Sequence, residues 1–291
     1  MTNTSTEFDP SQVEKALKGI TIPPRPRALL AVQEEMRKDS PELREIAHIV
    51  SQDIGISSGI IKTVNSPFLG LRNKVTSIEQ AVMLLGIKHV VNIVGSMGLK
   101  NAIGKIDGFD TDYFWDNASD IAVISAEISK QLDNCEADAA YTLGLFKDAA
   151  LPLLVQKHQH AYPKAMGAAY QNQKRSITDI ESEYFEINHA MIGYHIALNW
   201  HLPENICDAI RDHHDLAILT NPDKLTPLLA VLKLAESIAN PGIQLNWTEE
   251  DHEWPQIARA IFEYTGLSEP DYQDMKDFAQ EYLLSRECST H

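Results

Sequence analysis

Along most of this chain the apolar residues return every three or four positions, and no stretch sustains the alternation of a half-buried strand. Leu43, Ile46, Ala47 and Val50 predict one helix, with Ser40 as its N-cap and Pro41 at its first position. The same spacing recurs at Ile78, Ala81, Val82 and Leu85 behind a capping box from Ser77 to Gln80, and at Met191, Tyr194, His195 and Leu198. It returns at Ile206, Ala209, Ile210 and His213 after Pro203, and at Met275, Phe278, Ala279 and Tyr282 after Pro270. The expected fold is therefore all-α. With 291 residues, 44% of them hydrophobic, the chain can bury a large core, and no fixed repeat or long heptad run is present, so a compact bundle is expected rather than a solenoid or coiled coil.

Proline and turn residues divide these helices. Three prolines between Ile20 and Arg27 force an extended strap, since each fixes its own φ and pushes the residue before it out of the helical region. The turn-rich stretches Gly104 to Asp112 and Thr220 to Asp223 are the expected seams, and the polar residues 1–12 are expected to fray. Asn65, Ser66 and Pro67 should end a helix at Val64, and Asp53 should play a structural part. Trp115 and Trp200 are expected to pack in the core.

A net charge of −16 repels phosphate backbones and anionic headgroups, so neither nucleic acid nor membrane is an expected partner. Cys135, Cys207 and Cys288 form no CxxC motif and read as reduced thiols. The opening residues lack basic and apolar targeting regions, and no apolar run approaches the ~18 residues of a membrane span, so a cytoplasmic location is expected. P-loop and GxSxG motifs are absent.

What remains for chemistry is histidine. His189, His195, His213 and His214 cluster on two adjacent predicted helices, and His195 and His213 lie on the apolar faces. They could ligate a metal or be core histidines with hydrogen-bond partners. On a predicted helix through Leu143, Phe146, Ala150 and Leu154, Lys147 also falls on the apolar side. It must either pair with Asp148 or Glu236, because a lone buried ammonium is costly, or extend to the surface. DHHD at 212–215 could hold a stray ion; KHQH at 157–160 reads as a solvated helix end.

Seven fragments in order resemble the HDOD domain, a relative of the HD and HD-GYP metal-dependent phosphohydrolases of bacterial signalling: IPPRPRAL, IVSQDIGISSGIIKTVNSPFLG, VTSIEQAVMLLGIKHVVNIV, FWDNASDIA, YTLGLFKDAALPLL, INHAMIGYHIALNWHLPENICDAIRDHH and LLAVLKLAESIA. The resemblance spans about Ile22 to Ala239. It implies an N-terminal helical lobe over about 13–105 and an HD-like lobe over about 110–240, with 241–291 as C-terminal helices packed on the latter. The apolar faces at Ile257, Ile261 and Tyr264 and at Met275 to Tyr282 need cover, either from that core or from a partner.

The catalytic relatives hold metal with a first His, a His-Asp doublet, later His residues and a distant acid. Carried over by resemblance, these positions are Asn117, Lys147 with Asp148, His189, His213 with His214, and Glu236. Two ligand positions are thereby lost, since Asn117 offers only a carbonyl oxygen and a charged Lys147 offers no lone pair. The resemblance thus implies a vestigial site, no catalytic residue and no cofactor. The expected role is a non-catalytic regulatory or scaffold module acting on signalling proteins, with homo-oligomerisation left open. The alternatives are a phosphodiesterase with a reduced metal site built from Asp148, His189, His213, His214 and Glu236, or a nucleotide-sensing module.

Overall fold

The computed structural model describes residues 19–66, 69–132, 134–171, 175–220, 222–239 and 253–287. Residues 1–12, Pro67 and Cys288, for which expectations were given above, lie outside them. Among the described residues there is no strand beyond one isolated bridge between Ile106 and Phe109. The fold is an all-helical bundle.

After the extended strap, α1 (Arg27–Met36), α2 (Leu43–Ser51), α3 (Ile54–Val64) and α4 (Ile78–Ile103) form the N-terminal half, with α1, α2 and α3 all packed on α4. The predicted α2 face is buried at Ile46, Ala47 and Val50, but the cap is Glu42 rather than Ser40. The buried Glu35 carboxylate of α1 accepts from the Glu42 N–H (3.1 Å), so the preceding helix fixes where α2 starts. Asp53 caps α3, accepting from Ile56 N at 3.0 Å. Asn65 ends α3 and does more: its amide donates to Val75 O and accepts from Val75 N, both at 2.7 Å, clamping the following loop.

Helix α4 corrects one expectation. By length and composition it is the one helix among the described residues that could cross a membrane. It breaks at Gly86 (φ 77°), a left-handed conformation that only glycine adopts without strain, and its C-terminal part carries core residues from Val90 to Ile103.

The second half contains α5 (Thr111–Ser129), α6 (Ala137–Phe146), α7 (Leu151–Lys157), α8 (Tyr162–Gln171), α9 (Ile177–Phe185), α10 (His189–Asn199), α11 (Glu204–Asp212), α12 (Ala217–Thr220) and α13 (Thr226–Ala239). Helices α5 and α6 approach so closely that a Cβ on Gly144 would stand 2.7 Å from Ala122 Cα. The single helix expected through Leu143 to Leu154 is two, α6 and α7. Pro152 has no N–H to give the Asp148 carbonyl, which accepts from Leu151 N instead (2.8 Å). The resulting turn carries Lys147 and Asp148.

Helices α14 (Trp254–Thr265) and α15 (Glu269–Glu287) pack on α13, and α15 also on α5. Tyr272, Met275, Ala279 and Tyr282 are buried there, and Tyr282 donates to Asp120 (3.0 Å). Phe278 and Tyr264, placed on the inward faces by spacing, are instead 51% and 40% exposed. Likewise α10 turns His189, Ile192 and Ile196 inward, leaving His195 half-buried and Leu198 exposed. That helix is buried almost all round, so no single apolar stripe marks its orientation.

Trp115 and Trp200 are both core residues. Trp200 is fully buried and donates Nε1–H to Pro23 O (3.0 Å). Pro26 covers Gly98 so tightly that a Cβ there would meet its ring at 2.0 Å. The strap therefore crosses from one half to the other.

Candidate functional site

Three helix ends and one turn bring the polar residues together. His189 opens α10, His213 caps the end of α11 with His214 following it, Lys147 and Asp148 form the α6–α7 turn, and Glu253 precedes α14. Donor atoms of Asp148, His189, His213 and His214 lie within 4.8 Å of one another. Lys147 and Glu236 join this cluster through an ion pair of 2.8 Å. Asn117 is buried on α5, beside α6 and α13, and presents a neutral amide.

Lys147 is buried and bonds to both Asp148 and Glu236, so pairing accounts for it, not extension to the surface. Spacing alone missed a second ammonium. Lys233, also buried, sits 2.8 Å from Glu236 and 2.6 Å from Glu253. A lysine inside the apolar run of α13 was the same signal that singled out Lys147. Glu253 also meets His214 Nδ1 at 2.7 Å. Glu181, fully buried, accepts from His189 N (2.9 Å), His189 Nδ1 (2.6 Å) and Tyr162 Oη (2.7 Å). Its sequence context, ITDIESEYF, looks like a solvated helix, so nothing local marked it.

The protons can be placed by donor accounting. The carbonyl of Ile210 can only accept, so His213 Nδ1 carries hydrogen and donates to it (2.7 Å), leaving a lone pair on Nε2. His189 Nε2 lies 3.4 Å from that lone pair and 3.3 Å from Asp148 Oδ1. With Nδ1 donating to Glu181, His189 is doubly protonated and its Nε2–H points into the triangle. Burial opposes that charge, but Glu181 and Asp148 outweigh it and lift the His189 pKa to about 10. Burial, reinforced by His214, pushes His213 down to about 3. Burial also works against both lysines and their carboxylates, yet the pairs prevail: Lys147 and Lys233 are raised, Asp148 and Glu253 fall well below the usual range, and Glu236 falls to about 2.

These shifts fix a pH dependence. His213 binds a proton only when unfolded between about pH 6.5 and 3, so stability falls as pH drops through that window, by up to about 1.4 kcal/mol per unit. His189 keeps its proton only when folded between 6.5 and about 10, so its contribution is complete below 6.5 and lost as pH rises through 10. Urea midpoints should therefore peak near pH 6.5. His213→Gln should flatten the acid limb and His189→Gln the alkaline one; limbs unchanged in both variants would contradict the proton assignment.

The two free thiols among the described residues, Cys135 and Cys207, are both pushed up to about 11, chiefly by burial.

The comparisons with known proteins agree with this architecture. The HDOD domain model matches residues 22–216, and the chain belongs to the HDOD domain family. An HDOD domain protein of Geobacter sulfurreducens superposes with a TM-score of 0.70 at 18% identity over 94% of each chain. A candidate phosphohydrolase of Shewanella amazonensis SB2B does so with the same score at 19% identity, again over 94% of each. A protein of Treponema pallidum (strain Nichols) is 24% identical over 247 residues, 84% of this chain and 46% of its own length. The chain thus spans less than half of that relative.

Proposed function

We propose that this chain is a regulatory HDOD protein of cytoplasmic signal transduction, acting by contact with other proteins and not by catalysis. The observation that carries the reading is the pair of buried ammonium groups. Lys147 and Lys233 are bonded to Asp148, Glu236 and Glu253, of which Asp148 and Glu236 stand at the acid positions that an HD-type centre would turn toward metal. With His189 they set three cations against the carboxylates of Asp148, Glu181, Glu236 and Glu253, a cluster nearly neutral without any ion. The donor set does not fit a hydrolytic metal centre: Asn117 and Lys147 stand at two ligand positions, and Glu236 is taken by both lysines. The signalling role also draws on the Marinobacter aquaeolei VT8 structure, which is described as a candidate signal transduction protein and has the same fold (TM-score 0.70, 19% identity).

One observation favours a second reading, a retained single-metal site. Asp148 Oδ1, His189 Nε2 and His213 Nε2 form a triangle with sides of 3.2, 3.3 and 3.4 Å. A tetrahedral ion with bonds of about 2.0–2.1 Å spaces its ligands about 3.3–3.4 Å apart. The outer nitrogens of His189, His213 and His214 are each held by an acceptor, as in metal sites. In such a site Asp148, His189, His213 and His214 would hold the ion, at the cost of the His189 proton.

Elemental analysis separates the two readings. The full chain, purified without chelators and offered iron, manganese and zinc, is expected to carry only background metal. About one equivalent per chain, lost in His213→Ala and His189→Ala, would overturn the non-catalytic reading and make phosphate esters the substrates to screen.

A further inference from the structure

Between α5 and α15 runs an open cleft of about 280 Å³, floored by Ile124, Ile128, Met275 and Ala279 and edged by the half-exposed Phe278. Acids stand on both rims: Glu127 on the α5 side, Asp271 and Asp274 on the α15 side. Its volume lies just under the ~300–1,000 Å³ of small-molecule sites, so it suits one or two inserted side chains better than a metabolite. Glu127 is paired with Lys130 on the α5 side, while the α15 side is one-sided in charge. Helix α15 carries six acidic residues against two basic ones, and the chain as a whole is at −16.

We propose that this cleft is the docking site for a basic amphipathic segment of a partner protein. Its apolar side chains would lie over Ile128, Met275 and Phe278, and its Lys or Arg side chains would reach Glu127 on one rim and Asp271 and Asp274 on the other. An acidic segment would meet like charge at Asp271 and Asp274, whereas a basic one would meet opposite charge there and give Glu127 a second cation beside Lys130, so charge complementarity selects the partner's chemistry. The cleft is distinct from the buried histidine–lysine cluster and is independent of whether that cluster holds metal. A metal-loaded chain that bound the peptide would retain this proposal while overturning the non-catalytic reading.

The test uses the full chain and a fluorescent 18-residue helix of leucine and lysine, with two control peptides, one with every lysine replaced by glutamate and one with the leucines scrambled off their stripe. Anisotropy at 0.15 M salt should show binding of the basic peptide only. Glu127→Lys combined with Asp274→Lys should weaken it at least about tenfold, and Phe278→Ala by a similar factor. Glu45→Lys, a charge reversal on exposed α2, should change it less than about twofold. If the double reversal lowers helicity, Glu127→Gln with Asp274→Asn takes its place and should still weaken binding. No binding of the basic peptide, equal binding of the scrambled one, or equal weakening by Glu45→Lys would overturn the proposal, the last two by reducing it to non-specific charge attraction.

Discussion

Asp148→Ala is expected to destabilise the fold by about 3–5 kcal/mol, and Lys147→Met by clearly less. The asymmetry follows from who is left without a partner. Removing the Asp148 carboxylate leaves the buried Lys147 ammonium with Glu236 alone, a carboxylate it shares with Lys233, and takes an acceptor from the charged His189 ring. Removing the ammonium instead leaves Asp148 facing His189 and Glu236 facing Lys233, so each carboxylate keeps a cation, while methionine fills the same channel. Urea denaturation at pH 7 checks this. Equal losses in the two variants would mean that the lysine is not the residue that depends on the cluster.

The second large effect is expected at Trp200. It is fully buried, stands edge-on to Phe146 with centroids 6.3 Å apart, and bonds the strap through Pro23, while Gln33 of α1 approaches its carbonyl at 3.4 Å. Trp200→Ala should therefore cost about 3–5 kcal/mol, combining lost burial with a cavity where the two halves meet. Trp200→Phe should cost about 1–3 kcal/mol, since it retains most of the ring but leaves the Pro23 carbonyl without its donor. Denaturation followed by circular dichroism reads both. A Trp200→Ala chain as stable as Trp200→Phe would show that the indole packs loosely.

How far the sequence revealed this molecule depended on the range of the interaction. Local signals were legible: the spacing of Ile206, Ala209, Ile210 and His213 marked a face that is buried at all four positions, and Asp53 and Ser77 cap the helices they precede. Facing was lost where a helix is covered on most sides, as for His195 in α10, or where a half-exposed aromatic flanks the stripe, as for Phe278. In the cluster, Lys147 was conspicuous because an ammonium interrupts an apolar run, and its partners Asp148 and Glu236 could be named. Glu181 and Glu253 could not. Each lies in a polar stretch, and its partner is brought to it by chain far away: Glu253 reaches back 39 residues to His214. Helix period encodes which side of one helix is apolar; it holds no record of which helix end will stand opposite.

The strap sets an order on folding. Its bond to Trp200 closes a span of 177 residues, a long loop whose closure entropy is recovered only once both ends have a surface to land on. At about 5–20 residues per second, a ribosome would take roughly 9–35 s to deliver Trp200 after Pro23. For that interval the segment Ile20 to Pro26 can cover Gly98 yet has no indole to accept from, so the N-terminal half assembles with its clasp open. The first residues of the strap to be made are thus among the last to be fastened.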